Sequence, residues 1–349
     1  MRSGSGRQRT KKMKRVPYKK ILWVMCNIAL IIGGFLFALN AFGALRPGWT
    51  GKSGKVIPVV STRGHFRNGT LNPGHNAYDY AVAGVIPGLT PGSVPPRDLL
   101  IIVHGFNNTP LKAANVFALA SDSLAKDNFD GEVIGFSWDA NTQADPWNMT
   151  GFHECRRNAC GNGSKLARFI VEYKERCPDT RVHVMGYSIG ARLALEAALA
   201  LENDPALVSS SVVIDTIHLV GAAVDNEEVQ TDERYGVAIE NRVGTLYNYY
   251  STEDNLLGVL YPLKETDRAL GETDIEIPNR KPANYVSIDD RNELNTFDQA
   301  GRMLEREIGD NHCGCLGIWD TKGNLIDDGV MNLIVASIRE FAGRETGNG

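Results

Sequence analysis

The chain predicts an α/β fold, a mostly parallel twisted sheet with helices on both faces, behind one N-terminal transmembrane helix. Three observations lead there. Apolar, β-rich runs at 99–103, 132–138, 181–187, 211–220 and 245–251 alternate with helical stretches near 110–126, 163–176, 189–203 and 329–342. Alternating strand and helix order favours parallel pairing through right-handed crossovers. The 349 residues are enough for one large core and contain no internal repeat.

Taken in order, the N-terminus comes first. Residues 1–20 hold nine Lys or Arg and no acid, and Ile21–Leu45 follows as 25 uncharged residues, long enough to span a bilayer. By the positive-inside rule the basic tail is cytoplasmic and everything after the span lies outside. A cleaved signal peptide is the alternative, with Ala41-Phe42-Gly43 as a cleavage site and an unusually long apolar region. Residues 46–95 read as a connector with early strands, and the Gly- and Pro-rich 84–96 leads into the first well-defined strand. The stretch 96–349 is the expected catalytic domain. Within it, 139–162 and 263–311 are polar and weakly periodic, suited to a lid beside a site or to ordinary surface loops.

The most chemical segment is RVHVMGYSIG, 181–190. A β-rich strand runs into Gly186-Tyr187-Ser188-Ile189-Gly190 and then into the Ala- and Leu-rich helix 191–202. G-x-S-x-G puts a serine on a turn so tight that its neighbours two residues away must lack side chains. Ser188 is therefore the candidate nucleophile. A serine needs a base held by a third group, and on this turn the partners follow in the order serine, acid, histidine. Only His218 and His312 come after Ser188. His218 lies in a strand-like run, whereas His312 sits in the glycine-rich loop 309–317 ahead of the last helix, which makes His312 the candidate base. Asp254, just past the strand 245–251, is the favoured acid, with Asp225 at the end of the preceding strand as its rival. An N-cap role is the structural alternative for either. Asp215 is mid-strand and Glu253 adjoins the favoured position. Two N–H groups must face the developing oxyanion. Ile189 follows the nucleophile, and Phe106 follows the strand 99–103 through His104-Gly105, so these are the expected donors.

Charge is divided sharply. All 41 acidic residues and 23 of the 37 basic ones lie in 79–349, a net of −18 over that part. Such a surface argues against nucleic-acid binding and suits high salt, although an ordinary acidic protein would look the same. Cys155 and Cys160 are spaced to close a small disulfide loop in an oxidising compartment, and Cys313-Gly314-Cys315 lacks the partner pair that zinc needs. No metal or cofactor is implied. Asn68, Asn107, Asn148 and Asn162 begin N-x-S/T sequons, relevant only where exposed outside the cell.

Together LLIIVHGF (99–106), GYSIG (186–190), YYSTEDNLL (249–257) and DNHCGCL (310–316) resemble the α/β-hydrolase superfamily over roughly 96–343. STRGHFRNG (61–69), GFSWD (135–139) and VGAAVD (220–225) look like membrane-anchored hydrolase-fold proteins of haloarchaea, which as a class lack assigned substrates. The resemblance implies an eight-stranded sheet and a Ser188–Asp254–His312 triad. It departs at Tyr187, where many relatives carry histidine before the nucleophile, so the pocket wall is expected to differ. The implied function is a membrane-anchored serine hydrolase acting on a small or lipid-like ester, thioester or amide. The other class is a hydrolase-fold protein used for binding or surface attachment. Oligomeric state and substrate identity are not readable from the chain.

Overall fold

The computed structural model describes residues 56–142, 150–291, 312, 315–319 and 325–347. The apolar span 21–45 lies outside the described residues, among which no helix is long and apolar enough to cross a membrane.

Eight strands form one sheet: β1 (Val59–Ser61), β4 (Ala81–Ala83), β5 (Asp98–Val103), β6 (Glu132–Ser137), β7 (Arg181–Tyr187), β8 (Ile214–Val220), β9 (Val243–Tyr250) and β10 (Tyr285–Asp289). Their spatial order is β10-β9-β8-β7-β5-β6-β1-β4, and every neighbouring pair is parallel except β1 with the edge strand β4. Two small hairpins, β2–β3 (Phe66–Arg67, Thr70–Leu71) and β11–β12 (Ile318–Trp319, Leu325–Asp327), lie apart from it.

The pleat explains the two covering layers. Successive side chains of β5 point to opposite faces, so Leu99, Ile101 and Val103 enter one core and Leu100 and Ile102 the other. The first core is closed by α2 (Thr150–Arg176), α3 (Gly190–Asn203) and α4 (Gly236–Arg242), and the second by α1 (Pro110–Lys126) and α6 (Met331–Gly347). A strand buried on both sides must be apolar throughout, which is why β5 could be read directly from the sequence.

Three expectations change. Helix α2 begins at Thr150 rather than near 163, because Phe152, Cys155 and Ala159 put an apolar stripe into the core despite the glycines at 151 and 161. Cys155 and Cys160 therefore sit five apart on one helix, and they are not bonded to each other. Such spacing holds their Cα atoms too far apart for a disulfide. Asn162 is buried, accepting from the Thr62 hydroxyl at 2.5 Å and donating to the Asn158 carbonyl at 2.8 Å, which removes it as a glycan acceptor. Two of the sheet's strands, β1 and β4, come from the 46–95 segment.

The chain leaves β5 to β6 on one side and returns to β7 on the other, so β5 marks the switch point of the sheet, where α/β folds open a crevice beyond the strand ends. Register keeps those ends level. Val103 lies opposite Gly186, Tyr187 opposite Val220, and Val220 opposite Tyr249. The loops after β5, β7, β8 and β9 consequently meet at one edge.

Candidate active site

Ser188 stands between β7 and α3 with φ +56°, in left-handed backbone space that costs a non-glycine residue on the order of 1–3 kcal/mol. Hydrogen bonds hold it there. Its N–H donates to the Val220 carbonyl at 2.9 Å, and its carbonyl accepts from Ala191 at 3.0 Å and Ala223 at 3.2 Å. Both flanking glycines are required sterically. A Cβ on Gly186 would come within 2.6 Å of the Ala191 Cα, and one on Gly190 within 2.4 Å of the Val103 carbonyl oxygen.

Asp254 ends the turn after β9 and caps α5 (Asn255–Glu265). Its Oδ1 accepts from the Leu257 N–H at 2.9 Å, while Oδ2 lies 2.6 Å from His312 Nδ1. The capping role and the pairing with histidine thus coexist, one oxygen each. Both side chains are about 1% exposed, so the bond is shielded from solvent. A side chain on Gly221 would come within 3.0 Å of His312 Cε1 and 3.6 Å of Asp254 Oδ2. Ser188 is anchored through its N–H on Val220, and Asp254 and His312 lie against the next residue, Gly221. Tyr187, the departure noted above, donates through its hydroxyl to the His312 carbonyl at 3.3 Å, its ring 5.1 Å from the imidazole.

Asp225 is engaged elsewhere. Its Oδ1 accepts from the Tyr261 hydroxyl at 2.7 Å, and Oδ2 faces Arg156 at 3.2 Å and the buried Arg192 at 3.5 Å. Glu228 and Glu265 complete this charge cluster beside the site. His218 is fully buried in β8, between the Thr216 and Tyr249 hydroxyls, and burial holds its pKa far below the usual imidazole range.

After β5 the loop His104–Asn108 folds against the serine turn. A Cβ on Gly105 would be 3.0 Å from the Ser188 Cβ. His104 is buried, and burial with the nearby Arg63 charge pushes its pKa down to about 3, so it stays neutral and is no base. The Phe106 ring meets Phe152 edge-on at 5.9 Å, and Phe152 meets Tyr261 of α5 at 6.2 Å. These contacts pack the loop after β5 onto the core beside the helix that Asp254 caps. Ile189, the second expected donor, precedes the first turn of α3.

Among the described residues, one group brings three metal-type ligands together: His65, His75 and Asp79. It does not fit an ion. The two imidazoles stack face to face at 3.7 Å, so their in-plane lone pairs do not converge, and the buried Lys165 ammonium already holds Asp79 at 2.5 Å.

A family model, "Alpha/beta hydrolase of unknown function (DUF900)", matches residues 93–306. No curated protein matches the chain. Among solved structures, a cutinase from Trichoderma reesei bound to a phosphonate inhibitor is 19% identical, with a TM-score of 0.24 over 37% of this chain and 53% of that one, about half the cutinase's length. A lipase-esterase related protein from Clostridium acetobutylicum is 10% identical, with a TM-score of 0.35 over 70% of this chain and 95% of that one.

Proposed function

Since the chain belongs to this α/β-hydrolase family of unknown function, we propose that it is a serine hydrolase cleaving an ester, thioester or amide through a covalent acyl-enzyme. Ser188 Oγ attacks the carbonyl carbon while His312 Nε2 takes its proton. With Nδ1–H directed at Asp254, Nε2 is the basic nitrogen of the ring. The Ile189 and Phe106 N–H groups receive the developing negative oxygen. When the tetrahedral intermediate collapses, the bond to the leaving group breaks and His312 returns the proton to it. Water then repeats the sequence and frees the acid and Ser188.

The observation that carries this reading is the solvent-shielded 2.6 Å contact of His312 with Asp254, meeting at the strand end that also anchors the strained Ser188. The partly buried Phe106 ring, on the loop that lies against Ser188, supports an apolar acyl or alcohol group in the substrate, small or lipid-like. No cofactor takes part in these steps.

The same proposal puts the enzyme in the cell membrane as a single-pass protein with its catalytic domain outside. Support comes from the uncharged 21–45 span and the nine basic residues before it.

A fluorophosphonate probe tests the chemistry without knowledge of the substrate. The full-length protein in detergent should be labelled, and Ser188→Ala should not. Absence of labelling in the wild-type chain would favour a silent, binding role for the fold.

A further inference from the structure

We propose that Arg63 and His104 form a positioning pair that holds the Gly105–Phe106 peptide so that the Phe106 N–H faces the reacting carbonyl oxygen. This rests on the role given above to Phe106. Arg63 belongs to the turn that leaves β1, far in sequence from every candidate catalytic residue. Its guanidinium ties three segments together. Nε donates to Ser137 Oγ at 2.9 Å, Nη1 to the Asn108 carbonyl at 2.9 Å and to Asn141 Oδ1 at 3.0 Å, and Nη2 meets His104 Nε2 at 2.9 Å. All four acceptors are neutral. The neighbouring carboxylate, Asp139, accepts instead from the backbone N–H groups of Gly64 and Phe66.

The chemistry of these contacts fixes a direction. A guanidinium can only donate, so His104 Nε2 must accept, and the Trp138 N–H points at the same nitrogen from 3.2 Å. The ring proton is therefore on Nδ1, where it donates to the Gly105 carbonyl at 3.0 Å. Asn108 Nδ2 donates to that carbonyl as well, also at 3.0 Å. In a planar trans peptide the C=O and the following N–H point in opposite directions. Two donors pinning the Gly105 oxygen therefore send the Phe106 N–H the other way, and Gly105 lies against Ser188. Arg63 acts twice, through His104 and through the Asn108 carbonyl, so it braces both ends of the loop. The neutrality of His104 keeps this arrangement over the whole range in which a triad histidine works.

The test uses the full-length chain and an activated aryl ester. Arg63→Ala should lower kcat by a factor on the order of 10², as loss of one aligned oxyanion donor does, while KM stays within about threefold. Added guanidinium should restore part of kcat in Arg63→Ala and none in Ser188→Ala. Arg63→Lys keeps the charge but cannot span four acceptors, so its kcat should also fall, and it carries the test alone if the alanine variant does not fold. Near-normal kcat in either variant would overturn the positioning role. So would a loss that guanidinium does not relieve and that follows the fraction of unfolded protein. Failure of the wild-type chain to label at Ser188 would instead overturn the underlying hydrolase reading, and this role with it.

Discussion

Replacing Asp254 by asparagine separates the two tasks of one carboxylate. Oδ1 accepts from the Leu257 N–H and Oδ2 pairs with His312 Nδ1, at 2.9 Å and 2.6 Å. Asparagine offers only one oxygen. If that oxygen keeps the cap, its NH₂ faces His312 and forces Nδ1 to accept, which moves the ring proton to Nε2 and removes the base. If the oxygen faces His312, the NH₂ opposes the Leu257 N–H, donor against donor. The first arrangement keeps both contacts with the ring proton moved, whereas the second loses one buried bond, costing about 1–3 kcal/mol. For a domain of this size that loss would lower Tm by about 2–10 °C, so the first arrangement predicts a melt close to that of the wild type. The first arrangement keeps the helix cap and so is favoured, and the wrong tautomer should then reduce kcat by a factor on the order of 10⁴. The assay is aryl ester hydrolysis beside a thermal melt, with Asp225→Asn as comparison. Asp225 does not touch His312 but holds Arg156, Arg192 and Tyr261, so its variant should lose stability and retain most of kcat. A kcat for Asp254→Asn within about tenfold of wild type, or a larger catalytic loss at Asp225, would refute the assignment.

Gly190→Ala should fail to fold or lose about 3 kcal/mol or more, because its Cβ would meet the Val103 carbonyl oxygen at 2.4 Å, and a melting curve indistinguishable from wild type would contradict this. His104 has its pKa held down to about 3 and His218 is also depressed, whereas an unfolded histidine titrates near 6.5. Depressed folded values leave stability complete above the unfolded pKa and erode it as pH falls from about 6.5 towards 3, at about 1.4 kcal/mol per pH unit for each histidine. Denaturant titrations between pH 7 and 4 should show that slope, and His104→Gln should make it shallower; an unchanged slope would remove His104 from the account. Protease added to intact cells should digest the catalytic domain and leave a small membrane-bound N-terminal fragment, whereas a protected domain would reverse the proposed topology.

The central strands were legible because they are buried on both faces and must be apolar regardless of their neighbours. The runs 99–103, 132–138 and 181–187 agree with β5, β6 and β7 to within a residue at each end. The strand–turn–helix around Ser188 was legible for a reason that is local at Gly186, where a side chain would strike Ala191, while the glycine at 190 makes room for the Val103 carbonyl of the neighbouring strand. Chain order alone reduced seven histidines to two.

Only tertiary structure decided the rest. The strands β1 and β10 are three and five residues long and only partly buried, so no local pattern marks them, and pairing with β6 and β9 makes them part of the sheet. The first turns of α2 carry glycine and polar residues that local propensity reads as loop, and burial of Phe152 and Cys155 overrides it. Asp225 and Asp254 look alike in the chain, each an acid following a strand. Folding gives one to two arginines and the other to His312, a difference made by residues 33 positions and more away. Arg63 stands in the STRGHFRNG segment that carried the resemblance, but nothing local assigns it a role. Its contacts with the His104–Asn108 loop exist because the sheet brings β1 beside β6 and β6 beside β5, and the physics that selects such pairings is non-local.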